Sequence, residues 1–496
     1  MGIIQQQTLK GTFYSYLGVL IGFFSVYLIQ PHVLTPEQVG LISLLTSYSI
    51  LFAQLCILGF NATARIFPYF RDDKNHHNGY LGLASLIGLA GFVLFCIAAY
   101  FLKDLIVDEK DSGSTLLSTY YWQLIPLTFF TLFFNVFELY SRMLYDTVAG
   151  KILREFTKRI LVLLALLLLL FPFVNFELFM WIWLLCSIVP TGMIALRLYR
   201  RNQLSFHLNF KFIDKPLKRQ IIHLCVFGIL TGIAPFVIEN VDKYMITEMV
   251  GLAETGIYTL AFAFATIISL PARSLYSIAY TVIAEAWKNE NIEEIKSVYR
   301  KSCITQLVTT LFLFLLIWAN IHNIYAILPP EYAEGQYVIF FIGLAYLIDA
   351  STGVNGVILA TSRFYKYESF FSVALIGVTI AANLLFIPHY GVTGAAIASA
   401  LTLFIFNLAR YLFILLIFKM QPFTYRTPLT IIIGLLAYFL TDLIPPFSNF
   451  IADGLLRLAM ITLLFGGTTY LLELSEDLNG IIDKMIRKYL LPNKKQ

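Results

Sequence analysis

The sequence predicts an all-α, polytopic membrane protein of about 14 transmembrane helices, built as two pseudo-symmetric six-helix bundles plus two C-terminal helices. Three observations predict it. The chain is 58% hydrophobic and 13% charged, with a mean hydropathy of +0.76, whereas charged residues make up about 25% of a soluble domain. Its apolar residues gather into stretches of roughly 20, the length that crosses about 30 Å of hydrocarbon as a helix. Its Lys and Arg fall in alternate loops, as the retention of positive charge in the cytoplasm requires.

In chain order the spans are expected near 12–30, 39–60, 80–102, 116–140, 156–174, 177–199, 220–241, 256–283, 301–320, 336–360, 369–387, 393–415, 428–446 and 451–473. The first carries the small-xxx-small pair Gly18 and Gly22, and the seventh carries Gly228 and Gly232 at the corresponding place. Such pairs let helices approach closely. The turn Thr35-Pro36-Glu37-Gln38-Val39-Gly40-Leu41 into the second span resembles Gly251-Leu252-Ala253-Glu254-Thr255-Gly256-Ile257 into the eighth. The chain therefore reads as duplicated: a bundle over 1–199, a linker over 200–219, a second bundle over 220–420, two added helices over 421–475, and a tail over 476–496. Duplicated bundles are a common origin of transporters. Pro126, Pro190, Pro235 and Pro271 lie inside spans, where a missing donor favours kinks, either permitting bending or purely structural.

The map places Lys10, Arg65, Arg71 and Lys74 on the cytoplasmic side, with Arg142 to Arg159, Arg197 to Arg219 and Lys288 to Lys301. Arg363, Lys366, Lys419, Arg426 and the tail after Asp477 complete that side, so both termini are expected there. About 30 of the 35 Lys and Arg obey the map, while Lys103, Lys110, Lys243, Arg273 and Arg457 do not. The net charge of +5 is then a topology signal whose natural partners are anionic membrane lipids, and nucleic acid is not implied. No cleavable signal peptide is expected: the first apolar run is long, lacks a small-residue cleavage site and is soon followed by another span. In the tail, Ile481, Ile482, Met485, Ile486 and Tyr489 alternate at helical spacing with Lys484, Arg487 and Lys488, the pattern of an amphipathic helix at a membrane surface. Cys56, Cys96, Cys186, Cys225 and Cys303 show no CxxC and no metal spacing, so buried inert thiols are expected. The sequon Asn61-Ala62-Thr63 falls on the cytoplasmic side and is read as chance.

No HExxH, GxSxG or phosphate-binding loop is present, so no enzyme and no cofactor is expected. The informative residues are charges inside spans, each costing about 2.5 to 3.5 kcal/mol on insertion scales and so tending to face a cavity or a partner. Asp349 lies near the middle of the tenth span, suited to proton exchange or to pairing with a cation, either an ion or a basic neighbour. Arg273, two residues after Pro271, offers a forked donor to a phosphate oxygen or snorkels to the headgroups. Glu239, Asp242 and Lys243 close the seventh span on the outer side, with Glu239 and Lys243 at i, i+4, a stabilising pair or an outer gate. Glu138 and Arg142 repeat that spacing at the inner end of the fourth span, as a surface pair or an inner gate. Arg65 and Arg363 anchor the inner ends of the second and tenth spans and can attract an anionic headgroup. Arg410 joins them near the inner end of the twelfth.

These residues resemble those of the polysaccharide-biosynthesis flippases, the O-antigen and capsule type of lipid-linked oligosaccharide transporter in the multidrug/oligosaccharidyl-lipid/polysaccharide exporter superfamily. The resemblance rests on Leu34 to Gly40, on Asp242-Lys243 followed by Gly251 and Gly256-Ile257-Tyr258, and on Leu359-Ala360-Thr361-Ser362-Arg363. It rests further on Asn383 and the run Ile387-Pro388-His389-Tyr390-Gly391-Val392-Thr393-Gly394-Ala395-Ala396-Ile397-Ala398. It implies alternating access that carries an undecaprenyl-diphosphate-linked oligosaccharide outward across a bacterial cytoplasmic membrane. Possible H+ or Na+ coupling, a monomer, and a polysaccharide polymerase or glycosyltransferases as partners belong to the same expectation. A cation-coupled multidrug-type exporter and a non-transporting scaffold are the alternatives. The first span lacks the acidic residue of the multidrug antiporters and the arginine of the lipid II flippases.

Overall fold

The computed structural model describes residue 14 and residues 17–106 and 114–489. Lys10, Lys110 and the start of the first predicted span lie outside the described residues, as do the side chains of Pro235, Met485, Ile486, Arg487, Lys488 and Tyr489. No strand occurs among the described residues, and every predicted span, as far as it is described, falls mainly on helix. Nine of these helical segments are long and apolar enough to cross a membrane. Phe101, Leu416 and Leu463 on such helices are exposed, which in a multi-pass membrane protein turns them to lipid. The chain forms two compact units, Met1–Gly256 and Ile257–Gln496.

In the first unit, α1 (Leu17–Val33) includes a π-helical stretch, Phe24–Ile29. α2 (Pro36–Cys56) starts on a capping box: Thr35 Oγ1 accepts from the Gln38 amide at 3.3 Å, and Gln38 Oε1 accepts from the Thr35 amide at 3.1 Å. Pro36 sits in the first turn, where its missing donor costs nothing. Then come α3 (Tyr80–Ile106), α4 (Leu124–Met143), α5 (Lys158–Leu168), α6 (Phe176–Arg200) and α7 (Lys215–Met249). α2 packs on α3, α4 and α7, and α6 packs on α4 and α5, around the fully buried Leu41, Leu44, Phe179, Met180 and Ile194. α5 stops at Leu168, short of the predicted end at 174, because Pro172 cannot donate and disfavours helix in the residue before it. In the loop ahead of α3, the Asn75 side chain and the Lys74 and Asn75 amides hydrogen-bond the Asp72 carboxylate, holding it below the usual carboxylate range.

The repeated turns meet one another. A Cβ on Gly40 would overlap the Leu252 carbonyl oxygen, and one on Gly256 would overlap that of Pro36, so only glycine allows α2 and the start of α8 (Leu252–Thr266) to close together. The paired glycines of the first and seventh spans also sit against neighbours, but different ones. Gly18 and Gly22 lie on Glu155 and Arg159, whereas Gly228 and Gly232 lie on Gly59 and Gln54.

The second unit holds α9 (Leu270–Lys288), α10 (Ile292–Ala319), α11 (Gln336–Ser351), α12 (Asn355–Thr361), α13 (Tyr365–Phe413), α14 (Arg426–Asp442), α15 (Phe450–Ile461) and α16 (Glu476–Tyr489). A 3-10 turn, Ile267–Ser269, precedes α9, so Pro271 opens a helix rather than kinking one. The predicted tenth span is not continuous: Gly353 at φ +62° separates α11 from α12. α13 covers the eleventh and twelfth predicted spans and is interrupted at Gly391 (φ 55°, ψ −133°), three residues after Pro388. Beyond it, Gly394 presses on the Phe386 carbonyl, closing the two halves on each other. α11 packs on α10 and α13, and α9 on α10 and α12. In α16, Glu476 lies 3.3 Å from Arg426 and 3.8 Å from Lys301, while Ile481 and Ile482 stay exposed.

Candidate functional site

Asp349 stands in the last turn of α11, at the break before α12 rather than in the middle of a span. Its Oδ1 accepts from Asn407 Nδ2 at 3.0 Å, and its Oδ2 from the Tyr276 hydroxyl at 3.1 Å. Asn407 Oδ1 in turn accepts from Asn355 Nδ2 at 3.1 Å and from Thr352 Oγ1 at 3.1 Å. The left-handed Gly353 makes this possible, since it turns the chain so that Thr352 and Asn355 both face the second half of α13. Thr352, Asn355 and Asn407 are buried. The result is a polar centre on α9, α11, α12 and α13 holding one carboxylate, and all its neutral partners donate or accept without charge. The basic neighbour that the sequence left open for Asp349 is not among the ion pairs of the described residues.

One helical turn further along α13, Arg410 pairs with Glu368 through both ends of its guanidinium, with Nε at 3.0 Å. The guanidinium also lies 3.8 Å from the centre of the Phe406 ring. Both charged side chains are largely buried, and Gly356 leaves room for the guanidinium, as a Cβ there would come within 3.0 Å of it. Arg410, expected to act with Arg65 and Arg363 on a headgroup, is instead committed to this pair.

In the first unit, Asn240 on α7 accepts from Ser47 Oγ of α2 at 2.8 Å and from Lys243 Nζ at 3.5 Å. Among the described residues no ion pair joins Glu239 to Lys243; Glu239 is exposed and Asp242 buried. α7 continues to Met249, so the trio lies within a helix rather than at its end. Glu138, buried on α4, pairs with Arg154 rather than with the expected Arg142, and Arg154 also donates to Asn135 Oδ1 at 2.9 Å. Arg142 is exposed, and the guanidinium that reaches the Glu138 carboxylate comes instead from the π-helical turn Ile152–Thr157.

The four arginines expected to meet substrate differ from the paired ones in their partners. Arg65 (3-10 turn Phe60–Ile66), Arg142 (last turn of α4), Arg273 (first turn of α9) and Arg363 (between α12 and α13) are all exposed, and none makes an ion pair among the described residues. Arg363 lies 4.9 Å from the centre of the Phe364 ring. Their charge is available to a ligand, whereas that of Arg154, Arg410 and Arg457 is spent on Glu138, Glu368 and Asp453. Tyr276, Asn355, Asn407, Glu368 and Arg154 were not singled out by the sequence. A signal existed for some: Asp349 and Thr352, and Asn407 and Arg410, are polar pairs at i, i+3 within apolar helix. Among the described residues no three or more His, Cys, Asp or Glu gather as a metal site would require.

A family model described as polysaccharide biosynthesis protein matches residues 8–287. No curated protein matches the chain in sequence. Among solved structures the chain is similar to the lipid II flippase MurJ in an inward closed conformation, at 14% identity and a TM-score of 0.67, over 92% of this chain and 98% of that one. It is similar also to an inward-facing multidrug resistance MATE family transporter of the MOP superfamily, at 15% identity and a TM-score of 0.62, over 80% and 93%. A MOP superfamily transporter from Pyrococcus furiosus matches at 14% identity and a TM-score of 0.53, over 82% and 92%. At such identities what is shared is the fold.

Proposed function

Because the chain belongs to the polysaccharide biosynthesis protein family, we propose that it is a flippase for an undecaprenyl-diphosphate-linked oligosaccharide. It moves this lipid from the inner to the outer leaflet of a bacterial cytoplasmic membrane, for cell-surface polysaccharide of the O-antigen or capsule kind, by alternating access and with both termini inside. The observation that carries this reading is the family match over residues 8–287. The shared fold with a lipid II flippase and the four unpaired arginines support it. Arg65, Arg142, Arg273 and Arg363 meet the diphosphate, for which a guanidinium fork is suited; Glu138, Glu239, Asp242 and Lys243 serve the gates. A diphosphate of about two negative charges moving outward across an inside-negative potential of roughly 150 mV gains about 7 kcal/mol, so the field alone favours the direction. Deleting the gene should leave lipid-linked glycan inaccessible on the outer leaflet, with re-expression restoring it. Undiminished outer display in the deletion strain sinks the reading, and drug hypersensitivity with intact display favours a multidrug-type exporter.

Ion coupling, where it operates, belongs to Asp349. Its carboxylate, with the oxygens of Tyr276, Thr352 and Asn407 nearby, is a donor set for H+ or for a hard cation such as Na+. Asp349→Asn keeps the shape and removes the charge. Transport by this variant in vesicles should lose its dependence on an imposed Na+ or H+ gradient while keeping its dependence on voltage. An unchanged gradient dependence removes Asp349 from the coupling role.

A further inference from the structure

Three arginines crowd the inner end of the sixth predicted span, and they border a groove that the proposed transport path does not use. On α6, Met193, Leu196, Arg197 and Arg200 follow i, i+3, i+4, i+7 spacing and share one face. The opposite wall is built by Ile152 and Leu153 of the π-helical turn Ile152–Thr157, a distortion frequent at functional sites. Between the walls lies a cavity of about 450 Å³ whose rim is Arg197, Arg200 and Arg201. Met193 and Leu196 are exposed at 45% and 48%. From Met193 to Arg200 the helix rises about 10 Å, so an apolar floor passes to a charged rim over the depth that separates acyl chain from headgroup in a bilayer.

Charge selects the occupant. Asp146, only 6% exposed, offers one carboxylate oxygen to two guanidinia: Arg197 Nε at 2.7 Å and Arg201 Nη1 at 2.8 Å. That pairing leaves one positive charge unanswered, and Arg200, which makes no ion pair among the described residues, adds another. A soluble anion has no use for the exposed apolar floor, and a neutral lipid has none for the rim. We propose that this groove binds a glycerophospholipid of the cytoplasmic leaflet with a net-negative headgroup. One acyl chain lies along Ile152, Met193 and Leu196, and the phosphate is held by Arg200 with the remaining donors of Arg197 and Arg201.

The test is native mass spectrometry of the full-length protein, titrated in detergent with phosphatidylglycerol or phosphatidylcholine. The protein should retain phosphatidylglycerol about tenfold more strongly, and Arg200→Glu should abolish that preference. Arg200 is exposed and unpaired, so an unchanged unfolding temperature is expected for the variant. Leu196→Trp, which fills the floor and leaves the rim intact, should lower retention of phosphatidylglycerol as well. Equal retention of the two lipids by the wild type, full preference in Arg200→Glu, or displacement of phosphatidylglycerol by millimolar inorganic phosphate each overturns the proposal.

Discussion

At the scale of single residues, the cost of a guanidinium in a membrane protein depends on what answers its charge, and Arg457 shows how completely it can be answered. Its Nε donates to Asp453 Oδ2 at 2.7 Å, Nη2 to the Ile444 carbonyl at 2.9 Å and Nη1 to that of Thr441 at 3.4 Å, while Asn323 donates to Asp453 at 2.7 Å. Both charged side chains are buried. The guanidinium thus satisfies carbonyls at the C-terminal end of α14, and a charge neutralised in place exerts no pull on topology, which accounts for Arg457 as an exception to the loop pattern. Removing one partner leaves a buried unpaired charge, so Arg457→Met or Asp453→Asn should each cost about 3–5 kcal/mol. The double substitution should recover part of that loss in thermal unfolding. Singles as stable as the wild type contradict this assignment. The i, i+4 spacing of Asp453 and Arg457 was as visible in the sequence as that of Glu138 and Arg142, yet only the first is a real pair. Spacing fixes which residues can meet; it does not say that Arg154, 16 residues along the chain from Glu138, reaches the carboxylate first.

At the scale of elements, the helices were legible because lipid permits little else, and their interruptions were legible only in part. Pro388 and Gly391 announced the turn within α13, and Thr35-Pro36 with Gln38 announced the start of α2. The break at Gly353 was hidden, since a lone glycine in an apolar run also occurs in continuous helix. That break decides the polar centre, because it places Thr352 and Asn355 toward Asn407. The glycines of the repeated turns carry a sharper consequence. Gly40 and Gly256 each press on backbone, which cannot step aside as a side chain can. Gly40→Ala should therefore destabilise the first unit by about 1–3 kcal/mol, read from its unfolding temperature. Gly192, inside α6 with open space where its Cβ would be, is the control, and Gly192→Ala should leave stability unchanged or raise it by up to about 1 kcal/mol. Equal effects at the two positions contradict the close approach of α2 to the first turn of α8 within that unit.

At the scale of the whole molecule, composition and charge order were enough to recognise a multi-pass membrane protein, and the motifs around Thr35, Asp242, Leu359 and Gly391 together were enough to place it in its family. The substrate is a different matter, because the groups that would meet a diphosphate are exposed arginines chemically identical to the topology anchors found in any such chain. What separates them is pairing, which depends on contacts between helices distant in sequence. The claim that the protein carries a lipid-linked glycan across the bilayer is tested most directly in vesicles holding the purified full chain and a polyprenyl-diphosphate oligosaccharide labelled on the sugar. The measurement is the fraction of label open to a membrane-impermeant glycan-cleaving enzyme on the receiving side. If the protein flips this lipid, the fraction rises with time in its presence, the rise is faster with the receiving side positive, and it slows when Arg273→Ala and Arg363→Ala are combined. A fraction no different from protein-free vesicles, with the protein folded and inserted, contradicts it.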